Sequence, residues 1–167
     1  MKKRAQEVFG LSFGIIFSII ITIAIIASAF FAIKHFLGIN KCAQIGLFYN
    51  DFQNEIDRAW NSGTYTQRYF GNSLPNEIKF VCFGNLALTA ESDSASIRSE
   101  LESLNPADDA NIFFYPPKEC PEIFSNRLEH TDIQQFFCKP VSDGKLTSEV
   151  VIKFNDLEDN LVKISRS

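Results

Sequence analysis

The feature that most limits what this chain can fold into is the stretch GLSFGIIFSIIITIAIIASAFFAIKHF, from Gly10 to Phe36. From Val8 to Ile33 no residue carries a charge, a run of about 26 where a helix needs roughly 20 to cross the hydrocarbon of a bilayer. A secretion signal has a shorter apolar core and a small-residue cleavage site after it. The run is too long for that, and Lys34 and His35 follow it directly. It predicts a retained transmembrane helix over 8–36, in contact with membrane lipid, preceded by a basic cytoplasmic leader over 1–7.

Charge divides the chain in the same place. Residues 1–41 carry Lys2, Lys3, Arg4, Lys34 and Lys41 against Glu7, about +4, and the remainder carries about −8. An acidic domain argues against nucleic acid as a partner, because phosphates reward a basic face. The basic residues flanking the span favour a cytoplasmic N-terminus by a small margin. The cysteines add to that margin. Cys42, Cys82, Cys120 and Cys138 all follow the span, and an even number in one acidic domain suits disulfides outside the cytoplasm.

Periodicity continues beyond the apolar run. Cys42, Ile45, Phe48, Phe52, Ile56 and Ala59 step by three or four, with Asn50, Asp51, Asn54, Glu55, Asp57 and Arg58 between them. That is an amphipathic helix over 37–62. Gly63 can end it in the left-handed conformation, and no proline occurs before Pro75. One helix from about Val8 to Trp60 is therefore expected, with Gly38 and Gly46 as places where it can bend. Within the span, Gly10, Gly14, Ser18 and Thr22 recur every fourth residue. Such a stripe lets membrane helices approach closely, in self-association or against other membrane proteins.

The rest, 63–167, reads as an extracytoplasmic α+β domain. Ile78 to Phe83 has the alternation of a strand, with Ile78, Phe80 and Cys82 on one face. Ser92-Asp93-Ser94 can cap a short helix carrying Ile97, Leu101 and Leu104, halted at Asn105-Pro106. Ala110 to Tyr115 reads as a buried strand, and Phe136-Phe137-Cys138 as a short one before Pro140. Glu149–Phe154 and Asn160–Ile164 alternate and are joined by a polar link, which predicts a C-terminal hairpin. The expected architecture is a small antiparallel sheet laid on the amphipathic half of the first helix. If the Cys82 face meets that helix, Cys42 bonds Cys82 and Cys120 bonds Cys138.

Chemistry-bearing patterns are sparse. His35 flanks the membrane. Glu129-His130-Thr131-Asp132 contains acid–base residue types, but no motif places a nucleophile beside them. Asp108-Asp109 and Asp156-Glu158-Asp159 lack the EF-hand spacing, and no CxxC or CxxH suggests zinc. Gly84 and Gly144 belong to no phosphate loop, and no N-x-[ST] sequon occurs. No catalytic residue, metal site or cofactor is expected.

The order of basic leader, Arg4-Ala5-Gln6, long apolar helix, amphipathic stem and sheet domain resembles archaeal type IV pilin-like proteins. The resemblance implies a leader cut between Ala5 and Gln6 by a prepilin peptidase, a pilin-like fold, and assembly through the apolar helices. VCFGN, NIFFYPP and the terminal hairpin also resemble single-span archaeal membrane proteins, a likeness that carries no activity. The alternative is an uncleaved anchor whose ectodomain binds another cell-envelope protein.

Overall fold

A computed structural model describes residues 4–69, 71, 74–155 and 160–166, and of 4–12 the backbone alone. The chain divides into two compact units, Met1–Ile39 and Asn40–Ser167. Helix α1, Arg4–Trp60, contributes to both.

In the first unit every described side chain is exposed. Phe13 is 75% exposed, Ile25 62% and Phe31 72%, so this apolar surface is left uncovered among the described residues. Two of its hydroxyls bond the helix's own backbone: Thr22 Oγ1 donates to Ser18 O at 2.8 Å and Ser28 Oγ to Ile25 O at 2.9 Å. A helix whose backbone and hydroxyls are bonded internally is the form that hydrocarbon tolerates. This segment is long and apolar enough to cross a membrane.

In the second unit the rest of α1 is a core element. Ile45, Phe48, Phe52, Ile56 and Ala59 are all buried, as the helical spacing predicts. The helix stops where its last carbonyls find other donors. Asn61 N bonds Asp57 O at 3.1 Å, Ser62 Oγ bonds Ala59 O at 2.7 Å, and Gly63 turns the chain at φ 74°.

Two sheets pack with it. The strands are β1 Thr64–Tyr69, β2 Phe80–Phe83, β3 Ile112–Tyr115, β4 Ser125–Asn126, β5 Thr131–Asp132, β6 Phe137–Ser142, β7 Lys145–Leu146, β8 Val150–Asn155 and β9 Val162–Arg166. One sheet has the order β1-β8-β9-β5 and the other β4-β3-β2-β6-β7. The expected C-terminal hairpin is present, with Ile152 opposite Ile164. The single antiparallel sheet is not. Among the described residues there are two, and β5 runs parallel to β9. β1 gave no signal in the sequence because only Tyr65 and Tyr69 of TYTQRY are even half-buried. β6 is also longer than expected and runs through Pro140, which lies exposed within it.

The second sheet lies between two helices. Val81, Phe83, Ile112, Phe114 and Phe137 join the α1 stripe in the main core. Rings of Phe52 and Phe83 lie 5.3 Å apart, and those of Phe48 and Phe114 5.7 Å. The opposite face, with Cys82, Phe113, Phe136 and Cys138, is covered by helix α2, Ala95–Ser103, through Ile97 and Leu101. Leu104, expected on that apolar face, is instead 44% exposed beyond the end of α2. Ser94 precedes α2 but makes no side-chain cap; its Oγ accepts from Cys138 N at 2.9 Å, tying α2 to β6.

The turn between β6 and β7 fixes the β2 approach. Gly144 has φ 72°, its carbonyl accepts from Leu74 N at 3.0 Å, and an added Cβ would lie 2.6 Å from Leu74 O. Backbone on both sides leaves no flexible atom to yield. Gly144→Ala is expected to cost about 2 kcal/mol or more, seen as a lower midpoint in urea; an unchanged midpoint would show that this turn is not held against Leu74.

Candidate functional site

The chemistry-bearing features are the exposed apolar helix, two disulfides, and a few buried or clustered polar groups. The disulfides are Cys42–Cys120, which joins α1 to the segment following the 3-10 turn Pro117–Glu119, and Cys82–Cys138. The expected pairs Cys42–Cys82 and Cys120–Cys138 are therefore corrected. The cause is strand parity. Ile78 is in the α1-facing core, but it precedes β2 and does not set the alternation within it. Val81 and Phe83 face α1, so Cys82 points away, toward α2. There it sits directly opposite Cys138 in the β2–β6 pairing, with Cα atoms 3.9 Å apart. A one-residue change of phase sends a side chain to the other face of a sheet.

The candidate acid–base residues are not assembled into a site. The His130 ring stacks on Trp60 at 3.8 Å and 3°, and its Nδ1 lies 3.4 Å from Asp57 Oδ1. Glu129 lies 3.5 Å from Arg127, and Asp132 accepts from Gln134 at 3.4 Å. His130 packs the end of α1 against the β4–β5 connection. Asp109 pairs with Arg127 at 3.3 Å. Asp156, Glu158 and Asp159 lie outside the described residues. Among the described residues no group of three or more His, Cys, Asp or Glu side chains could hold a metal ion.

Gly14, Ser18 and Thr22 lie on the exposed helix, and nothing lies within 4 Å of where a Gly14 Cβ would stand. Gly10, Ala5 and Gln6 fall in the stretch where the backbone alone is described. Lys34 is set 5.0 Å above the Phe30 ring, a cation–π contact at the end of the apolar run.

The sequence offered no signal for Lys139. It alternates with Cys138 on β6, is only 1% exposed, and its Nζ donates to Ser148 Oγ at 3.1 Å. Burial pushes its pKa down, and the Arg166 charge pushes the same way. The folded state therefore holds this proton less tightly than the unfolded chain. Stability should rise with pH between the lowered folded value and 10.5. Lys139→Met is expected to raise stability by about 1 kcal/mol and to remove that slope. Equal slopes in both proteins, measured by urea unfolding from neutral pH upward, would contradict it. On the α1 side, the Tyr69 phenol is pushed up to about 12, first by burial and then by Asp51 and Glu55.

No family model, curated protein or solved structure is detectably similar to the chain.

Proposed function

We propose that this is a single-pass membrane protein with a cytoplasmic N-terminus and a disulfide-bonded domain outside the cytoplasm, serving as a pilin-like structural or assembly subunit without catalysis of its own. One observation carries the reading. A single helix is wholly exposed over 13–39 and apolar up to Ile33, and its remainder is the core helix of a domain closed by two disulfides. An exposed apolar helix of that length requires lipid or other apolar helices around it. Disulfides persist in oxidising compartments. The small residues Gly10, Gly14, Ser18 and Thr22 supply the surface on which copies pack. Ala5-Gln6 supplies the junction at which a prepilin peptidase releases the stem.

The test is shearing of cells carrying the native chain or Gly14→Ile. A pilin-like subunit is recovered in the sheared filament fraction, and Gly14→Ile removes it while the domain stays oxidised. A chain that stays in the membrane and crosslinks to a different envelope protein would replace this reading with that of an uncleaved anchored ectodomain.

A further inference from the structure

Among the described residues the two sheets end in four edge strands, and three of these are short. β4, β5 and β7 have two residues each, while β1, at the remaining edge, has six. A short edge is one way a protein keeps its sheets from pairing with other chains. β1 lacks that protection. TYTQRY contains no proline, and its one charged residue, Arg68, is paired with Glu149 at 3.1 Å. β1 pairs with β8 from Thr64 opposite Asn155 to Tyr69 opposite Val150, and among the described residues its backbone bonds no other segment. Successive residues of such a strand turn their backbone groups to opposite sides, so every second N–H and C=O of β1 points away from β8.

The side chains leave this edge open. Tyr65, Gln67 and Tyr69 share the core face, opposite Phe154, Ile152 and Val150, yet Gln67 is exposed. Thr64, Thr66 and Arg68, on the other face, are exposed as well. Gln67 Oε1 bonds the Tyr65 hydroxyl, and the Gln67 amide hydrogens have no acceptor among the described residues. The strand also fits itself. Opposed residues of an antiparallel pair lie on one face, so a second β1 can be added only in a register that keeps the faces together. Centred on Gln67, that register sets Tyr65 opposite the second copy's Tyr69, Thr66 opposite its Arg68, and Gln67 opposite itself. Aromatic pairs so placed stabilise a sheet, the two Gln67 amides can bond each other, and the two Arg68 charges are not opposed. β1 carries none of the acidic residues that dominate the rest of the domain, so the contact sets no two acids against each other.

We infer that β1 is the interaction surface for a second copy of this chain, whose β1 adds antiparallel about a two-fold axis at Gln67. Strand addition of this kind takes its affinity from main-chain hydrogen bonds. A two-fold axis closes the contact at a pair of copies instead of extending it. The inference rests on the membrane anchorage proposed above, because copies held in one bilayer meet at a high effective concentration. It does not depend on cleavage after Ala5 or on filament formation.

The test uses the full chain in its native membranes, carrying Gln67→Cys, Thr64→Cys or Lys145→Cys and treated with copper phenanthroline as oxidant. Across the axis the Cβ atoms at position 67 lie about 5 Å apart, whereas those at position 64 lie about 20 Å apart along the strands. A disulfide needs Cβ atoms about 4 Å apart, so Gln67→Cys should form a covalent dimer about tenfold faster than Thr64→Cys. Lys145→Cys, on the exposed edge strand β7, should be as slow as Thr64→Cys. Adding Gly14→Ile to Gln67→Cys should leave the dimer in place. The unmodified chain gives a second readout. As protein density in lipid vesicles rises, hydrogen exchange over residues 64–69 should slow about tenfold at every second amide. Gln67→Lys sets two ammonium groups opposite each other and should remove that dependence. No faster dimer at Gln67→Cys, exchange that ignores protein density, or a Gln67→Cys crosslink to a different protein would each overturn the pairing. A chain missing from the membrane fraction would overturn the anchorage with it.

Discussion

Phe52→Ala is expected to lower the unfolding free energy by about 3–5 kcal/mol. Phe52 is 0% exposed at the centre of the α1 stripe, with its ring 4.8 Å from Tyr69 and 5.3 Å from Phe83. It touches one sheet through Tyr69 and the other through Phe83, so its loss leaves a cavity that neither sheet can close alone. Trp60, the chain's only tryptophan, sits at the end of α1 on His130 and reports unfolding by fluorescence. The comparison is Leu47→Ala, on the same helix but 58% exposed, which should cost less than about 0.5 kcal/mol. Similar losses for both variants would mean that the helix is not the core of the domain.

Removing Cys42–Cys120, by Cys42→Ser with Cys120→Ser, should cost about 2–5 kcal/mol. The bond closes a separation of 78 residues and joins α1 to a loop that has little regular structure of its own. Peptide mapping without reductant should recover Cys42 with Cys120 and Cys82 with Cys138. A Cys42–Cys82 peptide would contradict the β2 alternation as well as the pairing. Removing Cys82–Cys138 should cost less, because its ends are already held opposite each other by β2 and β6 and its loop is shorter.

The parts of this fold legible in the sequence are those written in apolar spacing. The α1 stripe from Ile45 to Ala59, the hairpin of β8 and β9, and the buried run of β3 each declare a period that only one element satisfies. Phase was less legible than period. FVCF alternates either way, and only its burial decided that Val81 and Phe83 face α1 while Cys82 faces α2. β1 was invisible for another reason. An edge strand with one half-buried face needs few apolar residues, and TYTQRY has two tyrosines. The division into two sheets, and the parallel pairing of β5 with β9, are set by contacts between residues distant in sequence.

Intact mass of the chain taken from its native membranes, with free thiols alkylated before and after reduction, tests the central claim most directly. The chain should begin at Gln6 and gain no alkyl group until reduction, then four. That result joins a released stem to an oxidised domain. A mass beginning at Met1 with four groups added before reduction would contradict it, placing an uncleaved chain's domain on the reducing side of the membrane.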